Sequence, residues 1–470
     1  MIINLTFFIF LFFFCGKAIV KLFSSLNFSF LENLVFGMFF VYIIVMFFTI
    51  LEFEYKITFI FLFTISIFSL IFFIIKNFYL YKLRFNQIFH LNDKLKNLVK
   101  LLSFSFVFSV TLIIYLENIL DILIHPLQAG DGLAYWFRKA KFFIHNPGIE
   151  HFPQKNYPNF VSSLWSVSLY LNYENFNFSR IILPFILFVN VILVYWKFIL
   201  RYKNFLINSL LLFFVLIFYS TTTFGGHYRY SNSGYVDFAL SIFCMTGFIY
   251  IFLSFVDNIF YKKDYFFGCV CLGFLSSMKN EGLILSFGLL LVLNLIFLLN
   301  SYQLFKKNIR IIVISIVVFV VISILPLLLY KYFQLFTGFD HEVFVAKSFF
   351  SISNLINLQI LKDRFPLITV SFLGVLIENR LIIFALILLI ISNMFFSKTF
   401  FKTSNILLQI LILISLFCIF YIYTIYLTTN MEINWHLNTS LNRIFFPFTG
   451  IICSLCFLFC NFSKETKKTL

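Results

Sequence analysis

The residues best suited to chemistry gather in one segment, which begins at Gly130 and reads GDGLAYWFRKAKFFIHNPGIEHFPQKNYPNF. Asp131 lies between two glycines, which let the backbone turn tightly and bring a carboxylate close to a bound ligand. The stretch that follows is amphipathic and predicts a short helix in the outer interface of a membrane. Basic residues on such a helix can meet the phosphate of a lipid. The segment therefore combines a carboxylate with phosphate-binding groups.

The rest of the chain consists mainly of apolar residues. Of its 470 residues, 61% are hydrophobic and 11% are charged, and the mean hydropathy is +0.99. Soluble proteins carry roughly a quarter of charged residues, so this composition excludes a soluble enzyme, a disordered chain and a nucleic-acid-binding protein. Apolar runs near the length of a bilayer recur from end to end and predict an all-α, polytopic transmembrane helical bundle with about 13 spans. The predicted spans are 2–16, 33–51, 57–75, 101–120, 181–200, 204–222, 235–256, 265–279, 282–300, 310–330, 380–397, 405–427 and 444–462.

The distribution of charge predicts the orientation of these spans. The net charge is +16, from 35 basic and 19 acidic residues. If the N-terminus lies outside, the basic excess falls on one side, and basic connections mark the cytoplasmic side. The sequence thus predicts a protein of the plasma (inner) membrane with a cytoplasmic C-terminus, and the charge itself requires no anionic partner. The long outer segments 121–180 and 331–379 carry both charge signs and point to a polar site at the outer face.

The cysteines and short motifs exclude several kinds of site. All eight cysteines lie in or beside apolar runs, which predicts small packing residues and neither a metal site nor a disulfide framework. The chain has no GxxxxGK[ST] or HExxH motif, so ATP use and zinc-protease chemistry are unsupported.

Four sets of residues follow one another on the predicted outer side. The first outer loop carries Asp131, an aromatic and basic element, and then a Tyr-Pro element. Downstream, GYVDFAL, KNEGL and LNRIFFP place charged residues at the outer ends of spans. In type and order these sets resemble the GT-C superfamily of polytopic glycosyltransferases, in particular the bacterial branch related to protein mannosyltransferases and lipid A aminoarabinose transferases. The resemblance covers about residues 100–300 and the last outer loop; Gly132 stands where the family often has a second acidic residue. The matching positions are Asp131, Trp136, Lys139-Ala140, Tyr157-Pro158, Asp237, Lys279, Asn280, Glu281, Gly282, Arg443 and Pro447.

The resemblance implies transfer of a sugar from a polyprenyl-phosphate carrier to a hydroxyl of a glycolipid, polysaccharide or protein, with inversion at the anomeric carbon. In this reaction a carboxylate takes the proton of the acceptor, and cationic groups stabilise the departing phosphate. No cofactor is implied, and the need for a divalent cation is left open. The implied roles are catalytic base for Asp131, acceptor binding for Asp237, Glu281 and Tyr157, and donor phosphate binding for Lys139, Arg443 and His436.

Each of these roles has a structural alternative. An Asp that follows a turn is a favoured helix cap, and charged residues at a membrane face often pair with each other or snorkel to the interface. The alternatives are a cap for Asp131, an ion pair with Arg229 or Lys279 for Asp237 and Glu281, snorkelling for Lys139 and Arg443, and a hydrogen-bonded loop position for His436.

The sequence predicts three parts. Residues 1–100 form additional N-terminal helices, residues 101–330 form the GT-C-like catalytic core with outer loop 121–180, and residues 331–470 form C-terminal helices with outer loops 331–379 and 428–443. Two other functions stay open. A polymerase or ligase of surface polysaccharide would depend on Arg and His in the late outer loops. A flippase or transporter would need charges deep within spans, whereas nearly all charges here lie near span ends.

Overall fold

The computed structural model describes residues 2–21, 28–84, 94–124, 136–145, 158–171, 179–201, 205–221, 223–224, 228–229, 236–255, 259–337, 354, 356–378 and 401–465. Nearly all of these residues are helical, which confirms the all-α prediction. One small exception is a pair of antiparallel two-residue strands, β1 (Thr223–Phe224) and β2 (Tyr228–Arg229). The described chain forms two compact units, one of residues 1–153 and 159–235 and one of residues 154–158 and 236–470.

The first unit contains eight described helices and the strand pair. A capping box begins the second of them, because Ser29 and Glu32 exchange hydrogen bonds between side chain and backbone N–H and so satisfy two N–H groups that the helix cannot. The helices are α1 (Ile2–Val20), α2 (Phe30–Ile50), α3 (Tyr55–Arg84), α4 (Lys94–Ile124), α5 (Arg138–His145), α6 (Phe160–Leu171), α7 (Ile182–Arg201) and α8 (Phe205–Thr221).

Helices α1 and α2 cross closely because two glycines lie at the crossing. A Cβ atom at Gly16 would stand 1.8 Å from the carbonyl oxygen of Asn33, and one at Gly37 would stand 1.7 Å from that of Phe12. Only hydrogen fits at these positions, so the backbones can approach each other directly. Small residues are the usual means of close helix packing in a membrane.

Helices α5 and α6 lie in the predicted first outer loop. On α5, Arg138 and Lys141 are exposed whereas Phe142 and Phe143 are buried, as the amphipathic pattern predicts. Residues 160–169 of α6 are all buried. Protein therefore encloses most of α6.

The second unit is built around a helix that begins at Val236, all 18 residues of which are buried. Helices from both ends of the unit pack against it. After the second described helix, a short 3₁₀ turn (Phe274–Ser277) continues the chain to Lys279. The helices are α9 (Val236–Leu253), α10 (Lys262–Gly273), α11 (Glu281–Asn300), α12 (Tyr302–Lys307), α13 (Ile309–Thr337), α14 (Leu358–Glu378), α15 (Phe401–Thr428) and α16 (Ile433–Glu465).

Two predicted outer loops contain helical structure. Helix α13 extends through 337 and α14 occupies 358–378, so these parts of 331–379 are helical. In 428–443, only a short turn separates α15 from α16. Helix α14 packs against α15 and α16, and these two helices also pack against each other.

Six helical stretches among the described residues are long and apolar enough to cross a membrane, which indicates a multi-pass membrane protein. The remaining predicted spans stay predictions, and span 380–397 lies outside the described residues. The predicted division at residues 100 and 330 also stays a prediction. The six stretches are Phe30–Ile50, Tyr55–Ile75, Val236–Leu253, Glu281–Asn300, Ile309–Pro326 and Gln409–Thr428.

Candidate functional site

Asp237 is the centre of an ion network in the second unit. It is the second residue of α9, and its side chain is only 1% exposed. Lys279 Nζ donates a hydrogen bond to Oδ1 at 2.8 Å, and Arg443 Nε donates one to Oδ2 at 3.2 Å. A buried carboxylate is tolerated when it is paired and hydrogen-bonded in this way. Asp237 thus joins the start of α9 to the turn before α11 and to α16.

Lys279 is held by the turn between the 3₁₀ segment and α11. Its N–H donates to the carbonyl of Leu275, and its own carbonyl accepts from the N–H of Gly282. A Cβ atom at position 282 would stand 2.1 Å from the Leu275 carbonyl oxygen, so this turn requires glycine. Burial acts to lower the pKa of Lys279, but the negative charges of Asp237 and Glu281 outweigh it and raise that pKa above its ordinary value.

Glu281 is the more accessible carboxylate of the network. It is the first residue of α11, where the helix dipole favours a negative charge. Its Oε1 lies 3.7 Å from Lys279 Nζ, and its side chain is 20% exposed. Glu281 is therefore loosely paired and reachable, whereas Asp237 is enclosed and doubly hydrogen-bonded. Asp237, Lys279, Glu281 and Arg443 are called the Asp237 cluster below.

Helix α16 carries three polar residues toward this cluster. His436, Ser440 and Arg443 are spaced by four and three residues, so they share one helical face. The helix has 33 residues and is about 50 Å long at its usual rise, which exceeds the ~30 Å hydrocarbon core of a bilayer. Because Arg443 lies about three turns after the start of α16, the first part of this helix extends beyond the point where it meets Asp237.

His436 lies in the first turn of α16 and not in a loop. Its ring lies against that of Tyr426, with centroids 4.9 Å apart, and the hydroxyl of Tyr426 is 2.8 Å from Ser440 Oγ. Among the described residues, the buried Nδ1 of His436 has no hydrogen-bond partner. Burial lowers the pKa of His436, although Glu281 acts in the opposite direction, so the imidazole is neutral at pH 7.

Lys139 lies in the first unit, on α5. Its side chain is fully buried, and Nζ donates a hydrogen bond to Asn159 Oδ1 at 2.9 Å. The ammonium is also 5.6 Å from the centroid of the Trp136 ring. Burial lowers the pKa of Lys139 well below its ordinary value. The snorkelling alternative is therefore wrong for Lys139, whose head group is enclosed within the unit.

The structure brings together part of the predicted site. Arg443 contacts Asp237 directly, and Glu281 joins them through Lys279. His436 lies within electrostatic range of Glu281. The predicted base Asp131 and the predicted acceptor contact Tyr157 lie outside the described residues. Arg443 forms an ion pair rather than only snorkelling.

Sequence reasoning gave no site role to two residues that the structure places here. The sequence predicts Lys279 only as a pairing partner, although its place in KNEGL next to Glu281 is a usable signal. Tyr426 lies near the end of an apolar run and carries no signal of its own. Its role follows only from the packing of α15 against α16.

Within the described ranges, no group of three or more His, Cys, Asp or Glu side chains is arranged to hold a metal ion. Comparison of the chain with protein-family models, curated proteins and solved structures finds no match.

Proposed function

We propose that the chain is an inverting membrane glycosyltransferase, which moves a sugar from a polyprenyl-phosphate carrier to a hydroxyl of a cell-surface glycolipid, polysaccharide or protein at the outer face of the plasma membrane. The observation that carries the proposal is the Asp237 cluster, in which two cations and two carboxylates meet where the starts of α9 and α11 face α16. Such a reaction needs both charge signs at one place, because a proton leaves the acceptor while negative charge develops on a phosphate.

The cations of the cluster suit the leaving group. As the acceptor oxygen bonds to the anomeric carbon, the bond from that carbon to the phosphate oxygen breaks, and its electron pair stays on the polyprenyl phosphate. Lys279 and Arg443 are the groups proposed to stabilise this negative charge, and Arg is well suited to phosphate oxygens. His436 keeps its proposed place as a further phosphate contact. The phosphate role of Lys139 stays a prediction from the sequence, because its head group is enclosed in the first unit.

The carboxylates take different parts in the proposal. Asp131 is the proposed base, which accepts the proton that the acceptor hydroxyl loses. Glu281, which is reachable and loosely paired, binds and orients that hydroxyl together with Tyr157. Asp237 holds Lys279 and Arg443 in place, since both of its oxygens already accept hydrogen bonds. The acceptor contact predicted for Asp237 stays a prediction.

The position of the charges supports an enzyme over a transporter. Asp237 and Glu281 are the second and first residues of their helices, and Lys279 lies in a turn. A transporter that binds its substrate near the midplane would need such groups in the middle of spans. These three residues instead lie at the starts of two helices and in the turn that precedes α11.

A specific observation also favours the polymerase or ligase alternative. Arg364 and His436 lie in the two late segments on which such an enzyme would depend, and Arg364 lies within electrostatic range of His436. Both alternatives use lipid-linked glycans at the outer face. They differ in the product, which is one added sugar for a transferase and a longer or transferred polymer for the others.

The test is mass spectrometry of surface glycolipids from cells that express the wild type, Asp131→Asn or Glu281→Gln at equal protein level. We expect each variant to lose one defined sugar residue. Glu378→Gln is the matched control, because Glu378 is an exposed carboxylate at the last residue of α14, and its glycolipids should match the wild type. Glycolipids that are unchanged in both site variants would refute the proposal, and a changed polymer length would favour the polymerase or ligase.

A further inference from the structure

The backbone carbonyl groups at the end of α15 accept hydrogen bonds from one arginine. Arg364, in the second turn of α14, donates from Nη1 to the backbone carbonyls of Tyr426, Leu427 and Thr429, at 3.3, 3.3 and 2.5 Å. The last carbonyls of a helix have no partner within the helix, and they carry the negative end of its dipole. A guanidinium group therefore both satisfies and neutralises this end of α15.

A second side chain holds the same backbone. Asn354 Nδ2 donates to the carbonyls of Thr428 and Thr429 at 3.4 and 3.2 Å, and to Asn430 Oδ1 at 3.1 Å. Asn354 is buried, and its contacts continue those of Arg364 along the chain. Residues 426–430 are called the 426–430 turn below. Arg364, which is part of α14, and Asn354, which lies just before it, thus hold the whole turn.

The 426–430 turn leads directly to the candidate site. Tyr426, its first residue, contacts the His436 ring and the hydroxyl of Ser440. Ser440 in turn lies one turn before Arg443 on the same face of α16. A shift of the 426–430 turn would therefore move the side chains that α16 presents to the Asp237 cluster.

Two further contacts join α14 to α15 near Arg364. Thr369 Oγ1 is 2.6 Å from the hydroxyl of Tyr423, and the ring of Phe365 packs on that of Tyr423 with centroids 4.8 Å apart. These contacts lie next to Arg364 along α14. They hold the two helices side by side, with Arg364 next to the end of α15.

We propose that Arg364 is a positioning residue, which with Asn354 holds the 426–430 turn so that His436 stays in the candidate site. The part that this plays in catalysis rests on the proposed glycosyltransferase function, but the positioning itself does not. Neither residue has to touch the substrate. Loss of the clamp would let the turn and the first turns of α16 move away from the Asp237 cluster while the rest of the second unit stays folded.

Chemical labelling of His436 tests the proposal. Diethyl pyrocarbonate acylates neutral imidazole, and His436 is neutral and about half-buried at pH 7. The detergent-solubilised full chain is labelled at that pH, and the modification rate of each histidine is read by mass spectrometry. For Arg364→Gln we expect His436 to react about tenfold faster, the change expected when several charge-assisted hydrogen bonds are lost. Arg364→Lys, which keeps a cation at this position, should restore part of the protection.

The control is Lys362→Gln, which removes one positive charge from an exposed position two residues away and should leave the His436 rate unchanged. Exposed His145 reports the activity of the reagent. Cys418 on α15 and Cys453 on α16 are buried and should stay unreactive toward a thiol reagent, which shows that the opening is local. If Arg364→Gln does not accumulate as folded protein, Asn354→Ala removes the second half of the clamp and should raise the His436 rate about threefold.

Equal His436 rates in Arg364→Gln and Lys362→Gln would overturn the proposal. So would exposure of both cysteines together with His436, because that result means general unfolding. The labelling needs no sugar donor, so its outcome does not depend on the proposed transfer reaction. Suppose instead that Asp131→Asn or Glu281→Gln cells lose a sugar from their glycolipids, while His436 in Arg364→Gln is labelled at the wild-type rate. That pair of results would support the transferase and reject the positioning role of Arg364.

Discussion

Replacement of Asp237 with Asn tests whether the Asp237 cluster is held together by charge. The substitution keeps the size of the side chain but removes the negative charge that faces Lys279 at 2.8 Å and Arg443 at 3.2 Å. Lys279 is only 9% exposed and would keep a single carboxylate, Glu281, at 3.7 Å. Removal of one partner from a buried ion pair lowers the free energy of unfolding by ~3–5 kcal/mol, so we expect a loss of that size.

Glu281→Gln is the matched comparison within the same cluster. It also removes one carboxylate charge, but from a more accessible side chain and a longer ion pair, so we expect a loss of less than ~1 kcal/mol. Thermal unfolding in detergent can be followed with a thiol-reactive fluorescent dye, because seven of the eight cysteines of the chain are buried. The dye then reports the exposure of the interior.

The relative stability losses of Asp237→Asn and Glu281→Gln show whether Asp237 is the structural centre of the cluster. If Glu281→Gln destabilises the protein as much as Asp237→Asn, the two carboxylates are equivalent and the assignment of Asp237 as the structural centre is wrong. If both Asp237→Asn and the double variant Asp237→Asn/Lys279→Met retain wild-type stability, the ion network contributes nothing to the fold.

Two further predictions concern other parts of the molecule. Gly37→Ala should lower the free energy of unfolding by ~1–3 kcal/mol, because the new Cβ would stand 1.7 Å from the Phe12 carbonyl oxygen and force α1 and α2 apart. In the same dye assay, Gly374→Ala is the control. A Cβ atom at Gly374 would have nothing within 4 Å, so this variant should be neutral or stabilising by up to ~1 kcal/mol. The unfolding temperature should fall as the pH drops below 6.5, because burial lowers the pKa of His436 from that value and the unfolded state then binds the proton more readily.

The controls for these predictions are direct. Equal stability of the two glycine variants would contradict the close crossing of α1 and α2. For His436, stability is present above pH 6.5 and is lost as the pH falls toward the lowered pKa of the folded state, so His436→Gln should flatten the dependence of the unfolding temperature between pH 7.5 and 5.5. Identical slopes for the wild type and His436→Gln would show that another group titrates there.

Residue type and local pattern indicate part of the candidate site. Asp237, Glu281 and Arg443 are charged residues beside long apolar runs, and a charge at such a position needs a partner wherever it lies in the fold. The sequence could not distinguish their roles. Asp237 and Glu281 look alike in a linear pattern, and only the packing of α9 against α16 encloses the first and leaves the second accessible.

The clamp on the 426–430 turn was not predicted. Segment 331–379 is polar enough to resemble a connection, and Arg364 within it has no pattern that indicates a contact more than sixty residues away. Tyr426 likewise looks like part of an apolar run. Contacts between side chains far apart in sequence depend on which helices become neighbours, and hydropathy does not encode that choice.

The sequence by itself determined that the chain belongs in a membrane and where most of its helices lie. Apolar length and periodicity are local properties, and hydrogen bonding within each helix and burial in lipid act on them directly. The tertiary structure alone decided that Lys279 stands between two carboxylates, that Lys139 is enclosed, and that α14 caps the end of α15. These outcomes depend on helix packing over long sequence distances. In such packing, the position of a glycine or the register of one helix against another decides which charged side chains come into contact.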